Sequence, residues 1–444
     1  MQQVNISPKK ILANLKIEAL NEMQLAAIKA NDENDNVLLL STTGSGKTLG
    51  FLLPIIQRLD PAIKTVQALI LAPSRELAIQ IDDVFRKMGS GYKVTCCYGG
   101  HKREIEENNL LQSPAVIIGT AGRIADHLRR NNFSSEAISI LVLDEFDKSL
   151  ELGFKEEMEF IIGSLPAVTK RMLTSATNAP GIPDFVHFND PATVAFLSPL
   201  VEKEFVDELV VMTVHSPEKD KVETLFRLIC QIGNKSIIVF CNHRESVERT
   251  SEYLKERGIV NVFYHGGMEQ YERESAMCKF KNGTSNILIT TDLASRGLDI
   301  PDIKYIIHFH LPPTPDVYTH RNGRTARMTA GGKSVLILSE EETLPAYITE
   351  PVTAIVLQEE LELPEKPKWT TLFIAAGKKD KINKMDIVGF LSKVGNLKQD
   401  DIGLIEVKDF SSFVAVRKLK VGALMEEIKD EKIKGKKIKI AVAK

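Results

Sequence analysis

The segment Ser41–Thr48, STTGSGKT, has the residue types and spacing of a loop that binds nucleotide phosphates. It follows the apolar run VLLL and precedes a helical pattern, so a strand would lead through a glycine-rich turn into a helix. Backbone N–H groups and the helix N-terminus then face the phosphates. Lys47 would reach the β- and γ-phosphates, and the Thr48 hydroxyl would bind Mg²⁺. The loop around them consists of Thr43, Gly44, Ser45 and Gly46. A plain glycine turn is the alternative for this segment alone.

A second candidate group, DEFD at Asp144–Asp147, comes directly after the apolar run ISILVL. Carboxylates at the carboxyl end of a buried parallel strand face the ligand crevice of such sheets. Asp144 suits Mg²⁺, which binds through few carboxylates and retains its waters. Glu145 suits activation of the attacking water. The same residues could instead cap a helix, but together with the upstream glycine loop they favour ATP hydrolysis.

Phosphoryl transfer also needs positive charge around the transferred group, and HRNGRTAR at His320–Arg327 is a source of it. Arg324 and Arg327 are three positions apart, so they share one face of a helical turn. Both are candidates to contact the γ-phosphate. A basic turn that pairs with nearby carboxylates is the alternative for this segment in isolation.

Short apolar runs that alternate with helical patterns, from residue 37 to about residue 356, would position these groups. Buried parallel strands separated by helices indicate sheets covered by helices on both faces. The stretch is too long for one doubly wound sheet, and a break near Ser198–Glu204 divides it. We therefore expect two tandem doubly wound α/β domains, at 1–200 and 201–360. The clearest strand candidates are Val37–Leu40, Ala68–Leu71, Ala115–Ile118, Ile138–Leu143, Ile237–Phe240, Asn286–Thr290, Lys304–Ile307 and Ser334–Leu338.

A linker with two prolines, at 361–369, precedes a smaller C-terminal domain at 370–444. Its pattern reads βαββαβ, which predicts a four-stranded α+β sheet backed by two helices. The domain holds 17 Lys and Arg against 10 Asp and Glu, a charge of +7 in a chain with a formal charge of −2. That excess is typical of a tethered module that binds a polyanion, although a lysine-rich solvated surface has the same composition.

Composition narrows the class of protein. With 43% hydrophobic and 26% charged residues, the 444-residue chain is neither largely disordered nor collagen-like. No apolar run has the length of a transmembrane helix, and the first residues lack an apolar signal region. The five cysteines include no CxxC pair, which argues against a disulfide framework or zinc site and for a cytoplasmic location. We expect a monomer without a membrane partner.

These motifs, in this order, resemble those of the DEAD-box RNA helicases, from about residue 20 to the C-terminus. The resemblance implies two RecA-like domains, with ATP and Mg²⁺ as cofactors and RNA as partner. Further matching blocks are APSRELA at Ala72–Ala78, Gly99-Gly100, TAGR at Thr120–Arg123, SAT at Ser175–Thr177, VFCNH at Val239–His243, HGGM at His265–Met268 and TTDLASRGLDI at Thr290–Ile300.

The resemblance also implies roles for single residues. Gln24 matches the glutamine that reads adenine, and Gly297 and Asp299 match residues that approach the γ-phosphate and ribose. The residues implied to couple the ATP site to the nucleic-acid path are Asp147, Ser175 and Thr177. Those implied along the RNA backbone are Arg75, Gly100, Thr120, Gly122, Arg123, Thr291 and Arg296. Contacts to phosphate and sugar are largely independent of base sequence and sensitive to salt.

Besides the tolerable changes Ser74 and Ala121, two departures from the family pattern bear on the ATP site. Phe146 stands where the family has alanine, so its bulky ring must point into a local pocket. We expect ATPase activity to be retained, because both acidic catalytic positions are present. The residues before Gln24 read LNEM rather than the proline–threonine pattern, so the resemblance supports phosphate binding more strongly than adenine selectivity.

The C-terminal domain resembles the RRM-like RNA-binding domain that ends DbpA-type DEAD-box helicases, where it recognises a structured ribosomal RNA element. Aromatic residues on the central strands of an RRM stack on bases. Phe373 and Phe413 occupy two such positions. Strand alternation places Leu372 and Val414 on the opposite face, so we expect both phenyl rings to be exposed; core packing is the alternative.

The favoured function is an ATP-dependent RNA helicase that separates short RNA duplexes, with structured ribosomal RNA as its target. Two alternatives stay open. An ATP-gated RNA clamp or scaffold would bind RNA without unwinding it, if Phe146 damages turnover. A DNA-directed translocase of the wider helicase class would act on DNA duplexes without preference for ribose.

Overall fold

The computed structural model of the chain describes residues 8–41, 45–175, 181–196, 209–292, 303–325 and 332–443. These residues form two compact units, one before residue 197 and one from residue 209 onward. Within the described ranges, no helix has the length and apolar character needed to cross a membrane.

The first unit is built around a seven-stranded sheet in which all neighbouring strands are parallel. The strands are β1 (Asn36–Ser41), β2 (Ala68–Ala72), β3 (Val94–Cys97), β4 (Val116–Thr120), β5 (Ile140–Leu143), β6 (Lys170–Ser175) and β7 (Ala192–Phe196). They lie in the order β3-β4-β2-β5-β6-β1-β7. The helices are α1 (Pro8–Leu15), α2 (Glu22–Glu33), α3 (Lys47–Arg58), α4 (Arg75–Met88), α5 (Arg103–Leu110), α6 (Ala121–Arg129), α7 (Phe146–Glu151) and α8 (Lys155–Gly163).

Hydrophobic clusters on both faces hold this sheet in place. Successive side chains of a strand point to opposite faces, so Ile70 and Val142 join one cluster while Leu69 and Leu141 join the other. Because both faces are covered, β2 and β5 are apolar at every position rather than at alternate ones. That continuous pattern is what makes β2 and β5 recognisable in the sequence.

The second unit begins with another seven-stranded parallel sheet, in the order β10-β11-β9-β12-β13-β8-β14. Its strands are β8 (Val210–His215), β9 (Ile237–Phe240), β10 (Val262–Tyr264), β11 (Ile287–Thr290), β12 (Tyr305–His308), β13 (Lys333–Leu338) and β14 (Val352–Ala354). The helices are α9 (Val222–Ile232), α10 (Arg244–Glu256), α11 (Gln270–Lys281) and α12 (Pro315–Asn322). The prediction of two tandem parallel α/β sheets is confirmed.

The C-terminal part of the second unit is a small antiparallel α+β domain. Its strands are β15 (Trp369–Ile374), β16 (Ile402–Val407), β17 (Ser412–Arg417), β18 (Lys432–Ile433), β19 (Lys436–Lys437) and β20 (Ile440–Val442), and its helices are α13 (Lys384–Lys393) and α14 (Val421–Glu427). Four strands form a sheet in the order β16-β17-β15-β20, and β18 and β19 form a hairpin. Leu372 and Val414 share a core cluster with Ile387 of α13, as strand alternation predicts.

The other face of this sheet packs against α11, so the expectation that both phenyl rings are exposed is wrong for Phe413. Phe413 is fully buried in a cluster with Cys278 of α11 and Ala443. Phe373 is half-buried, and its ring centroid lies 5.2 Å from that of Tyr271. In this arrangement, α11 occupies the surface on which a base would stack against Phe413. A role for either ring in binding RNA stays a prediction.

Candidate functional site

The glycine loop joins the carboxyl end of β1 to the first turn of α3. Gly46 caps α3 with a φ of +87°, a left-handed conformation that favours glycine. Lys47, the first residue of α3, is 8% exposed, and its Nζ donates a hydrogen bond to the carbonyl of Ser41 at 2.7 Å. The ammonium group is thus held at the end of β1. Thr48 follows in the same turn and is half-buried.

Two side-chain amides attach the start of α2 to this loop. Nε2 of Gln24 donates to the carbonyl of Gly46 at 3.2 Å, and Nδ2 of Asn21 donates to the carbonyl of Ser45 at 2.9 Å. Asn21 also caps α2, because its Oδ1 accepts from the N–H of Gln24 while Oε1 of Gln24 accepts from the N–H of Asn21. The segment LNEM therefore supplies its own helix cap where the family pattern has threonine.

The acidic pair lies at the carboxyl end of β5. Asp144 and Glu145 are 3% and 6% exposed. Burial and the neighbouring charge of Glu145 raise the pKa of Asp144 to about 6, against the opposing effects of Thr174 and Lys47. Glu145 has a φ of +46°, and its Oε2 has no hydrogen-bond partner among the described residues. The strands β5, β6 and β1 are parallel neighbours, so their carboxyl ends lie at the same edge of the sheet. Asp144, Glu145 and Lys47 therefore share that edge.

The side chain of Phe146 points away from the acidic pair into the protein core. It is 1% exposed and belongs to the hydrophobic cluster that contains Leu143 and Met158. The expected local pocket for this ring is confirmed. The next residue, Asp147, is also buried, and burial raises the pKa of its carboxyl. Ser175, which is fully buried, ends β6 on the same edge of the sheet.

The residues implied to contact RNA in the first unit lie along the other half of this edge, after the neighbouring strands β3, β4 and β2. Arg75 begins α4 after β2, Gly100 follows β3, and Thr120 ends β4 ahead of Gly122 and Arg123 in α6. A Cβ added at Gly99 would come within 3.2 Å of Nη2 of Arg75, so glycine lets that arginine approach. The sheet order thus separates ATP candidates from RNA candidates along one edge.

A buried carboxylate that the sequence did not single out holds Arg123 in place. Oε2 of Glu106 accepts from Nη1 of Arg123 at 2.8 Å and lies 2.7 Å from Nε2 of His127. Oε1 accepts from the N–H of Tyr98 at 2.8 Å and lies 3.0 Å from Nε2 of His101. Burial opposes ionisation, but these hydrogen bonds and the charge of Arg123 lower the pKa of Glu106 to about 2. The sequence signal for this cluster was the four-residue spacing of Arg123 and His127, which places both side chains on one face of a helix.

In the second unit, a fully buried arginine connects three strand ends. Arg321 in α12 donates from Nε and Nη2 to the two carboxylate oxygens of Asp292, at 2.6 and 3.0 Å. It also donates to the carbonyl of His310 and to Oδ1 of Asn242, both at 2.8 Å. Asp292, Asn242 and His310 follow β11, β9 and β12, which are neighbours in the sheet. This residue was also missed by sequence reasoning.

Comparison with known proteins identifies the family. Residues 21–184 match the DEAD/DEAH box helicase family, 220–329 the helicase conserved C-terminal domain, and 371–442 the DbpA RNA binding domain. The sequence is 31% identical to the ATP-dependent RNA helicase DbpA of Escherichia coli over 465 residues, which cover 99% of each chain. This chain belongs to the DEAD-box helicase family.

A further relative and a solved structure are similar over about three quarters of this chain. The ATP-dependent rRNA helicase RRP3 of Scheffersomyces stipitis is 35% identical over 74% of this chain and 68% of its own length. The structure of S. cerevisiae Dbp5 bound to RNA and ADP BeF3 is 26% identical and has a TM-score of 0.68, covering 79% of this chain and 94% of that one.

Several residues that the DEAD-box resemblance implies can now be placed. Arg324 is buried in the turn after α12, and Thr291 is half-buried directly after β11. Thr291 directly precedes Asp292, which Arg321 binds, whereas Arg324 precedes Thr325, whose Oγ1 donates to the carbonyl of Ile303 ahead of β12. The candidates outside the described residues are Thr43, Gly44, Thr177, Arg296, Gly297, Asp299 and Arg327.

Proposed function

We propose that this chain hydrolyses ATP in response to RNA and uses that cycle to separate short RNA duplexes, with structured ribosomal RNA as its target. The main support is the grouping of Lys47, Asp144 and Glu145 at one half of a sheet edge whose other half carries Arg75 and Arg123. The family membership, which extends through the RNA-binding domain, agrees with it. The name of the relative RRP3 favours a ribosomal target.

The residues at the ATP site fit Mg²⁺. The oxygen atoms available to bind the ion are those of the Asp144 carboxylate, the Thr48 hydroxyl and Oε2 of Glu145. Within the described ranges, this last atom has no hydrogen-bond partner. Hard oxygen ligands of this kind suit Mg²⁺. We assign Asp144 and Thr48 to hold the ion, which neutralises charge on the β- and γ-phosphates when bound. Glu145 accepts a proton from the attacking water, and Lys47 binds the phosphates.

The second unit supplies the remaining positive charge. Arg324 and Arg327 act on the γ-phosphate as negative charge develops there, and Gly297 and Asp299 contact the nucleotide. We assign RNA the role of stimulating this turnover. The RNA contacts are those of Arg75, Gly100, Thr120, Gly122, Arg123, Thr291 and Arg296. Asp147, Ser175 and Thr177 couple the RNA path to the ATP site.

The C-terminal domain tethers the helicase core to its target and raises the local concentration of the core there. Since α11 covers one face of the four-stranded sheet of this domain, the basic side chains elsewhere on the domain are the first candidates to bind phosphates. Those that are exposed include Lys378, Lys379, Lys381, Lys418 and Lys420.

Separation of labelled duplexes by the full-length chain tests this function. Short RNA duplexes joined to a ribosomal RNA fragment, to an unrelated structured RNA or to DNA are incubated with and without ATP. We expect ATP-dependent separation that is fastest on the ribosomal substrate and absent for Lys47→Ala. RNA binding without separation would support the clamp alternative, equal action on DNA duplexes the translocase, and equal rates on both RNAs would remove the ribosomal target.

A further inference from the structure

A threonine outside the recognised motifs bridges the two acidic residues of the ATP site. Oγ1 of Thr174 donates to Oδ1 of Asp144 at 2.5 Å and accepts from the backbone N–H of Glu145 at 3.0 Å. Thr174 is 1% exposed, so both bonds are shielded from water. A hydroxyl has one proton to donate and lone pairs that accept, which matches both bonds at once.

Strand pairing puts Thr174 at this position. Leu143 of β5 is paired with Leu173 of β6, so the residues that follow each of them, Asp144 and Thr174, are adjacent at the carboxyl edge of the sheet. The N–H of Asp144 still bonds to the sheet, to the carbonyl of Leu71 at 2.9 Å. The N–H of Glu145 instead bonds to the threonine hydroxyl, so the main chain leaves the sheet at this residue.

The bond to Glu145 coincides with an uncommon backbone conformation. Glu145 has φ +46° and ψ 52°, in the left-handed region that residues other than glycine rarely adopt. Such conformations persist where the surrounding structure holds them. The hydroxyl of Thr174 fixes the N–H at this bend, and the bend determines the direction of the Glu145 carboxylate.

The bond to Asp144 restricts the orientation of a carboxylate that we assign to Mg²⁺. Thr174 engages Oδ1 and leaves Oδ2 to other ligands. Groups that hydrogen-bond to a metal-binding side chain commonly change metal affinity and activity by about 10- to 100-fold. Thr174 also directly precedes Ser175, the last residue of β6.

We infer that Thr174 is a positioning residue of the ATP site, whose hydroxyl orients the carboxylate of Asp144 and holds the backbone bend at Glu145. This inference rests on the proposed function and adds a residue to its site. The hydroxyl of Thr174 positions Asp144 and Glu145, whereas its methyl group contributes to packing only.

Three full-length variants separate the hydroxyl from the packing. Thr174→Val keeps the shape and removes the hydroxyl, whereas Thr174→Ser keeps the hydroxyl. Thr95→Val is the matched control, because Thr95 is a buried threonine of β3 whose Oγ1 has no hydrogen-bond partner among the residues that the structure describes. Binding of a fluorescent ATP analogue is titrated against Mg²⁺ and repeated in EDTA, and RNA-stimulated kcat and KM are measured.

For Thr174→Val we expect the Mg²⁺ concentration at half-maximal nucleotide binding to rise about tenfold and kcat to fall by a similar factor. Binding in EDTA should not change. Thr174→Ser and Thr95→Val should stay within about twofold of the wild type. An unchanged Mg²⁺ titration for Thr174→Val, or an equal defect in Thr174→Ser, overturns the inference.

Two further outcomes are decisive. If the wild-type chain binds no nucleotide at any Mg²⁺ concentration, the proposed function fails and the inference fails with it. If Thr174→Val does not fold, amide hydrogen exchange of the wild-type chain decides. The N–H of Glu145 should then be protected by its bond to Thr174, and exchange as fast as that of a solvent-exposed amide overturns the inference.

Discussion

The guanidinium of Arg321 and the carboxylate of Asp292 form a two-point ion pair, with N–O distances of 2.6 and 3.0 Å. Arg321 is fully buried, whereas the Asp292 side chain is 26% exposed. The arginine lies in α12, immediately before the turn that carries Arg324, and the aspartate follows β11. The pair therefore fixes the end of α12, just before that turn, to Asp292, two residues after the end of β11.

Asp292→Asn removes one charge of this pair and leaves the buried guanidinium with a weaker acceptor. We expect a loss of about 3 kcal/mol in the free energy of unfolding of the second unit and a fall in RNA-stimulated kcat, because the turn with Arg324 loses its support. Urea unfolding followed by tryptophan fluorescence measures the first effect. Glu340→Gln, at an exposed acid, should change stability by less than about 0.5 kcal/mol; a similar loss in both variants would contradict the prediction.

Glu106→Gln should destabilise the first unit in a pH-dependent manner. The pKa of Glu106 is about 2 in the folded chain, below its usual 4.5, so its ionised form stabilises the fold above pH 4.5. That stabilisation is lost as the pH falls from 4.5 towards 2. At pH 7 we expect the free energy of unfolding of Glu106→Gln to be roughly 3 kcal/mol below that of the wild type. This difference should be smaller at pH 4.

Urea unfolding of Glu106→Gln and wild type at the two pH values checks this prediction. His101, His127 and Arg123 face the carboxylate. Glu107→Gln is the matched control, since Glu107 forms a partly exposed pair with Arg103 that solvent screens. If the difference in unfolding free energy between the wild type and Glu106→Gln is the same at pH 7 and pH 4, the charge of Glu106 does not stabilise the fold.

Phe146→Ala should separate stability from catalysis. The ring lies in the core cluster, so its removal leaves a cavity and costs about 3 kcal/mol of stability. The turnover of the folded fraction should change by less than about twofold, because the acidic pair is untouched. Phe160→Ala, at a residue 36% exposed, is the control for loss of a phenyl ring. A large gain in ATPase activity in Phe146→Ala would instead support the clamp alternative.

Asn21 has two functions in the structure that two substitutions distinguish. Asn21→Ala removes both the helix cap and the bond to the phosphate loop, so it should cost about 1 kcal/mol of stability and weaken nucleotide binding. Asn21→Ser keeps a capping hydroxyl but lacks the donor to Ser45. Serine should therefore restore stability but not nucleotide affinity, as measured by thermal unfolding and equilibrium titration. Restored affinity in the serine variant would assign the effect to the cap alone.

The elements that the sequence predicts well are those whose signal is local. β2 and β9 are continuous apolar runs covered on both faces, and each begins where the sequence indicates. In the C-terminal domain, alternation correctly assigns Phe373 and Phe413 to the face opposite Leu372. The burial of Phe413 could not be predicted from alternation, because α11, which covers it, lies more than a hundred residues earlier in the chain.

The same distinction applies to the candidate site. The glycine loop and the acidic pair are contiguous segments, so their chemistry is readable from spacing. The partners of Glu106 come from the loop after β3 and from α6, and those of Arg321 follow three different strands. Thr174 gains its role from the register of β5 against β6. Such roles arise only when the sheet brings distant positions together.

The decisive measurement is steady-state ATP hydrolysis by the full-length chain, with and without saturating RNA. We expect that RNA raises kcat/KM by at least about tenfold, that DNA of the same sequence does not, and that Glu145→Gln hydrolyses ATP in neither case. Equal turnover in the presence and absence of RNA would contradict this expectation.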